Sequence, residues 1–405
     1  MSARAEDIRG RFSWARLTSP RSIAILGMGL GVLAFWVALP PLKARSPTVP
    51  LLLGILAVGA GIWALTRGER RLGWGAVATA TLGVAGGILA TRSATNDLDS
   101  VVVWSALLAA TLRYATPLTL AALGGLFSER SGVVNIGLEG MMLMGAFFGV
   151  LAAAELDSWI LGVGAAMLAG GFLALIHAFF SIHLRADQIV SGTAVNFLAL
   201  GITGYVFIDV YGDEGTPTDI PRIPEVRLSA IDEIPLLGPV FAQLNLMIWV
   251  SLALVVLTYV VMFKTPIGLR IRSVGEHPRA AETVGISVYG IRYAAVTLSG
   301  MLAALGGAYL SIGFVGSFNE NMTSGRGFIA LAALIFGNWR PFGAFGAALL
   351  FGFSSALAQR LPTAYGESAG TLFEALPYIL TLIAVAGVIG RSIPPAAVGR
   401  PYKRQ

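Results

Sequence analysis

The residues best placed to do chemistry are polar side chains set inside long apolar blocks. Asn135, Glu139 and Asn196 sit in stretches otherwise built from Gly, Ala, Val, Leu, Ile, Met and Phe. A carboxylate in such surroundings is expensive unless it faces a cavity, a pathway or a partner. Gly132 and Gly137 allow a bend or a close helix approach, Asn135 reads as a helix N-cap, and Glu139 falls on the first turn, where the helix dipole favours its charge. Two roles are open for each residue. They line or gate a pathway, or they form the cap and packing bond of a broken helix. The same choice applies to Asn196 and to Phe318, Asn319, Asn321 and Arg326 near one connection, and Glu374 reads equally well as a cap.

Other chemistries are poorly served. A phosphate-binding loop needs Gly-Lys-Ser/Thr, whereas Lys43, Lys264 and Lys403 do not follow glycine. His177, His183 and His277 have no metal-ligand spacing, and His177 and His183 suit packing near a helix end. No Gly-x-Ser-x-Gly elbow occurs, and the chain has 0 cysteines, which removes disulfides, thiolate ligands and cysteine nucleophiles together. The chain reads as a non-enzyme.

The elements that must position these residues are membrane helices. Of 405 residues 56% are hydrophobic and only 12% charged, against roughly 25% charged in a soluble domain. Mean hydropathy is +0.76. Apolar blocks of about 20 residues match the hydrocarbon thickness, and no alternating barrel-strand pattern appears. The expected fold is an all-α polytopic membrane protein of roughly twelve spans: 22–40, 49–66, 72–91, 101–127, 136–154, 158–183, 187–208, 243–263, 291–312, 326–339, 341–360 and 371–390. The tenth is short for a crossing, and the region after Pro117 carries helix breakers, so either could hold a broken or re-entrant segment. The Gly27/Gly31, Gly83/Gly87 and Gly145/Gly149 pairs read as helix-packing faces.

Basic residues set the orientation. They gather at Arg4 to Arg21, Arg67 to Arg71, Arg130, Arg185, Lys264 to Arg292 and Arg391 to Arg404, which puts both termini in the cytoplasm. The 209–242 loop is acidic and faces outward. The pI near 9.8 thus reflects topology and anionic lipid, with no nucleic-acid partner implied. The polar first 21 residues do not read as a signal peptide. Residues 1–96 hold three spans with almost no mid-span polar residues and read as an accessory module; residues 97–405 read as the working core.

The inward-facing stretch KTPIGLRIRSVGEHPRAAETVGIS (264–287) is the most informative. Pro266 stops the preceding span, Pro278 suits the first turn of a short helix to about Val284, and Gly285 ends it. Such a helix, tied to spans on both sides, is either a docking element for a soluble partner or a plain connector.

This stretch resembles the coupling-helix region of ATP-binding cassette importer permeases, in the branch serving branched-chain amino acids, ribose-type sugars and nucleosides. SERSGVVNIGLEG (128–140), GGAYLS (306–311) and GRGFIALAALIFGNW (325–339) resemble the nucleoside, or simple-sugar, permeases of that branch, and the similarity covers about 97–405. The three leading spans depart from the short form of that subgroup. The resemblance implies nucleoside import across the bacterial inner membrane, with ribose-like sugars or branched-chain amino acids as alternatives. It implies a separate ATPase with two nucleotide-binding domains that carries the ATP and magnesium, so this chain holds no cofactor. It further implies a second, non-identical permease chain and an external substrate-binding protein, for which the 209–242 loop is a docking surface. Gly275, Glu276, Pro278, Ala280, Ala281 and Gly285 become the ATPase-coupling residues. Asn135, Glu139, Asn196, Phe318, Asn319, Asn321 and Arg326 become pathway candidates, since amides and aromatics suit hydroxyls and a flat base. An ion-coupled secondary transporter is the rival class, with Glu139 as its coupling carboxylate.

Overall fold

The structure, a computed structural model, describes residues 19–37, 48–92, 104–217, 219–231, 237–360 and 393–403. These fall into two compact units divided between Val103 and Trp104. The first unit contains α1 (Pro20–Trp36), α2 (Thr48–Thr66) and α3 (Arg70–Arg92), each packed on the other two. Small residues set their spacing: Gly27 lies against Ala60 and Ala76, and Gly87 against the Ala34 carbonyl. Their other faces carry exposed Leu26, Leu52, Ile55 and Leu82, as expected for helices surrounded by lipid.

The second unit begins with α4 (Trp104–Arg130), α5 (Leu138–Glu155), α6 (Trp159–Ala178, extended by a π-helical turn to His183) and α7 (Gln188–Tyr211). Across the acidic connection, β1 (Glu225–Arg227) pairs antiparallel with β2 (Gln243–Asn245), with Val226 opposite Leu244, and the short α8 (Leu237–Phe241) lies between them. Then come α9 (Leu246–Lys264), α10 (Pro266–Glu276), α11 (Pro278–Thr283), α12 (Val288–Ala308, with a π-helical extension to Val315), α13 (Arg326–Phe336) and α14 (Pro341–Arg360). The first eleven predicted spans each coincide with a helix, and the twelfth lies outside the described residues. Among the described residues, 8 helices are long and apolar enough to cross a membrane; Pro20–Ala34 and Arg326–Phe336 are shorter apolar helices. The chain is an all-α polytopic membrane protein.

Helix starts follow local chemistry. Asp187 caps α7 by accepting from the Ile189 and Val190 amides at 2.8 and 3.0 Å, Asn245 caps α9 from Met247 at 2.9 Å, and Ser287 caps α12 from Gly290 at 3.2 Å. Pro266 and Pro278 both occupy first-turn positions, where the missing N–H leaves no bond unmade. The break that the sequence allowed in the region after Pro117 comes at 131–137, not at the proline itself. The 27-residue α4 runs through it without a break. The hydroxyls of Thr116 and Thr119 donate to the Leu112 and Ala115 carbonyls, both at 2.8 Å, within the turns around the proline. The carbonyl that Pro117 leaves without an amide is that of Arg113, so these hydroxyls do not replace the lost bond, while α12 and α14 pack closely along α4.

Helix α12 is the pivot of this unit, packing on α4, α5 and α6. The approach is backbone-close. A Cβ on Gly170 would fall 2.6 Å from the Gly300 carbonyl oxygen, and one on Gly124 would fall 2.5 Å from that of Ser299. Lipid-facing surface is left on α6 and α7, where Leu168, Phe172, Val190, Phe197 and Tyr205 are exposed.

Candidate functional site

Between α4 and α5 the chain leaves helical geometry for 131–137 while staying inside the protein, with Ser131, Gly132, Val133, Asn135 and Gly137 buried. Non-helical backbone at this depth survives only where its polar groups find partners. Five carbonyls of the break find partners. Ser131 accepts from Arg292 Nε at 3.2 Å, Gly132 from the Gly399 amide at 3.3 Å, and Val133 from the Ser128 hydroxyl at 2.7 Å. Val134 meets His177 Nε2 at 3.0 Å, and Ile136 accepts from Asn196 Nδ2 at 3.0 Å. The Val134 amide donates to Gln188 at 2.7 Å, and the Gly140 amide donates to Asn196 Oδ1 at 2.8 Å. His177 also meets the Ser191 hydroxyl at 3.0 Å, so it braces backbone, in keeping with its packing role.

Asn135 does not cap α5. The helix starts at Leu138 with Gly137 in the cap position and no side-chain cap bond. The Asn135 amide instead donates to the Ser299 hydroxyl of α12 at 2.9 Å, and its Oδ1 has no donor. The cap is absent because α5 begins at Leu138, which leaves Asn135 two residues ahead of the cap position. Glu139 does lie on the first turn of α5, as its position predicts.

Glu139 holds a second break. Its Oε1 accepts from the Gly325 amide at 2.7 Å and its Oε2 from the Gly327 amide at 2.5 Å. Gly325, at φ +83°, is the residue from which α13 begins. One carboxylate thus sits at the N-terminal ends of two helices, α5 and α13, where both dipoles favour negative charge. Gly327 is required for this approach, since a Cβ there would lie 2.5 Å from the Glu139 amide nitrogen. With 11 residues α13 is about 16 Å long at ~1.5 Å per residue, roughly half a hydrocarbon crossing. The tenth block is therefore a half-helix entered through an irregular segment.

That segment, 316–325, carries the remaining predicted pathway residues. Phe318 is 1% exposed and wedged edge-on between Phe147 and Phe207, with ring centroids 5.0 and 5.4 Å away. Asn319 and Asn321 are exposed. Asn321 has φ +52°, and its carbonyl accepts from the Ser324 amide. The Arg326 guanidinium turns back onto the Met322 and Thr323 carbonyls at 2.8 and 3.1 Å. Asn135, Glu139 and Asn196 therefore gather around the start of α5, and Glu139 alone reaches the 325–327 turn.

The 128–140 and 325–339 stretches meet again at the far end of α13. Trp339 Nε1 donates to Glu129 Oε2 at 2.5 Å, and Arg130 Nη2 donates to the Trp339 carbonyl at 2.8 Å. Nearby, 264–291 folds as two helices, α10 and α11, where the sequence suggested only the second. In α11, Ala281 is buried, Pro278 is half-buried, and Arg279, Ala280 and Thr283 are exposed; Val284, which caps it, is 74% exposed, and Gly285 follows at φ +82°. Gly275 ends α10 tight against the Arg130 carbonyl, with no room for a Cβ, and Glu276 accepts from the Ala396 amide at 3.1 Å. Sequence reasoning missed Ser299, Gln188, Arg292 and Trp339 as braces. Arg292 offered the best signal, being a charge at the edge of an apolar block.

Long apolar helices, with one half-helix entered through a braced turn, define an integral membrane protein. A model of the family described as "Branched-chain amino acid transport system / permease component" matches residues 107–385, and the chain belongs to that family. The chain is 46% identical over 320 residues to a guanosine ABC transporter permease protein of Bacillus subtilis, covering 75% of this chain and 98% of that protein. It is 39% identical over 302 residues to a nucleoside ABC transporter permease protein of Lactococcus lactis, covering 72% and 94%. It is 37% identical over 258 residues to a putative glucose ABC transporter permease protein of Haloferax volcanii, covering 63% and 77%. No solved structure matches the chain significantly. As a permease subunit of an ATP-binding cassette transporter, the chain works with an ATPase and a substrate-binding protein.

Proposed function

We propose that this permease imports nucleosides across a bacterial inner membrane. The observation that carries the substrate class is its relatedness to the guanosine permease over 98% of that protein's length. Both termini are cytoplasmic, the chain crosses roughly twelve times as its apolar blocks suggest, residues 1–96 are an accessory module, and residues 97–405 are the transporting core. The ATPase docks on α11. Glu276, Ala280 and Gly285 present the exposed contact, while Pro278, Gly275 and Ala281 seat the helix. ATP and magnesium bind on that ATPase, and no cofactor is held here. A second, non-identical permease chain completes the pore, and the binding protein docks on the 209–242 connection.

Within the core, Asn135, Glu139 and Asn196 act as the hinge of the gate. Exposed Asn319 and Asn321 line the outer mouth, with Phe318 and Arg326 fixing the turn between them and α13. This reading favours ATP coupling over ion coupling. Each Glu139 oxygen accepts from a backbone amide at the start of α13, so in this arrangement the carboxylate serves as a brace between two helix N-termini. The glucose permease relative favours one alternative substrate, a simple sugar.

The test is reconstitution with the ATPase, second permease and binding protein encoded alongside. Uptake and stimulated ATP hydrolysis are measured with purine and pyrimidine nucleosides, ribose, glucose and leucine. Nucleosides should stimulate both. Stimulation by a sugar or leucine alone would move the substrate assignment, and ATP-independent uptake driven by an ion gradient would overturn the coupling scheme.

A further inference from the structure

Residues 393–403 form no regular element, yet they are sewn to five parts of the molecule. The Ile393 amide donates to Asn338 Oδ1 at 3.0 Å, between α13 and α14. The Ala396 and Ala397 amides donate to Glu276 Oε2 and the Gly275 carbonyl, at 3.1 and 2.9 Å, at the end of α10. The Gly399 amide reaches the Gly132 carbonyl in the break before α5. The Arg400 and Tyr402 carbonyls accept from Arg292 Nη1 at 3.2 Å and Tyr289 Oη at 3.4 Å, both on α12. Finally, the Tyr402 hydroxyl donates to Glu282 Oε2 on α11. Ala397 and Tyr402 are each only 6% exposed.

Ordering an irregular segment costs entropy that its contacts must return. A segment bonded at this density is held for a reason, and its two ends suggest one. Tyr402 grips the helix on which the ATPase is proposed to dock, and Gly399 grips the break that positions Asn135 and Glu139. Buried Arg292 lies between them, joined to the Arg400 carbonyl on one side and the Ser131 carbonyl on the other. Gly275, three residues before α11, lies against Arg130 and Gly132 directly, and the tail adds a second link to the same break that starts on α11 itself.

We propose that residues 393–403 are a strap that transmits displacement of α11 to the 131–137 break, with Tyr402 as the positioning residue at the α11 end. This rests on α11 being the ATPase-docking element. The experiment uses the complete complex in proteoliposomes and reads nucleoside uptake per ATP hydrolysed. Tyr402→Phe keeps the ring against Tyr289, at 5.9 Å between centroids, and removes only the hydroxyl. It should assemble with the ATPase at wild-type stoichiometry while uptake per ATP falls about tenfold, the scale of one lost hydrogen bond to a charged group. Tyr402→Ala should uncouple further, and Glu282→Gln, which keeps an acceptor, should retain coupling where Glu282→Leu does not. An unchanged ratio in Tyr402→Phe and Glu282→Leu would overturn the strap. Ala280→Trp, assayed in parallel, separates the two ideas: if it keeps both ATPase binding and uptake, the docking assignment fails, whatever the Tyr402 variants do.

Discussion

The 131–137 break and helix α11 are both short interruptions between long helices, but they are stabilised in opposite ways. The break is buried; its carbonyls at Ser131, Gly132, Val134 and Ile136 are matched by partners from elsewhere in the fold, and that of Val133 by Ser128 at the end of α4. Helix α11 is six residues long, buries Ala281, and leaves most of its surface open. Unpaired backbone in lipid costs several kcal/mol per group, whereas a surface turn has water as its alternative partner. Substitutions in the break should therefore be read out as lost fold, and those on α11 as lost coupling with the fold intact.

The largest effect on stability is expected at Glu139. Glu139→Ala removes the acceptor for the Gly325 and Gly327 amides at once and leaves the start of α13 uncapped. Hydrogen bonds to a charged group contribute about 1.5–3 kcal/mol each, so a loss of about 3–6 kcal/mol follows. The check is thermal unfolding of the purified chain in detergent, together with its yield in the membrane. Wild-type stability in this variant would show that α13 does not depend on the carboxylate. Asn196→Ala should come next. It removes two neutral bonds, to the Ile136 carbonyl and from the Gly140 amide, and such bonds between membrane helices average about 0.6 kcal/mol. A destabilisation of about 1–2 kcal/mol, clearly smaller than at Glu139, is the expected result of the same unfolding experiment. If the two variants were equal, the dipole and charge argument at Glu139 would lose its support.

The contrast also explains what could be read from sequence. The limits of α11 were legible because they rest on local rules: Pro278 opens it and Gly285, at φ +82°, follows its end. The place of Glu139 on a first turn was legible for the same reason. Its partners were not, since Gly325 and Gly327 lie 186 and 188 residues away and an amide donor leaves no trace in side-chain type. Asn135 misled because α5 starts at Leu138, two residues too late for it to cap, and its nitrogen donates instead to Ser299, 164 residues on. Pro117 is absorbed within α4, and the break that the sequence allowed in the region after it falls at 131–137. Arg292 was read as a topological charge, and only the fold revealed it buried between the break and the tail. Lipid-facing blocks, by contrast, were visible along their whole length, since apolar length needs no partner to be recognised.

The smallest stability effect, and the sharpest test of the comparison, is expected on the open face of α11. Ala280 is exposed, so Ala280→Trp meets no neighbour and should change unfolding by no more than about 0.5 kcal/mol, the range of ordinary surface substitutions. Transport should nevertheless be abolished if that face seats in a groove of the ATPase, because an indole added to a packed contact leaves no space for it. Gly275 supplies the control in the same region. A side chain there would enter the Arg130 carbonyl, so Gly275→Val should lose transport and stability together. Measuring ATPase co-purification beside the unfolding midpoint separates the two cases. Ala280→Trp should lose the partner and keep the midpoint, and Gly275→Val should lose both. If Ala280→Trp retained the ATPase and transported normally, α11 would be a connector after all, and the difference between the two interruptions would be one of burial alone.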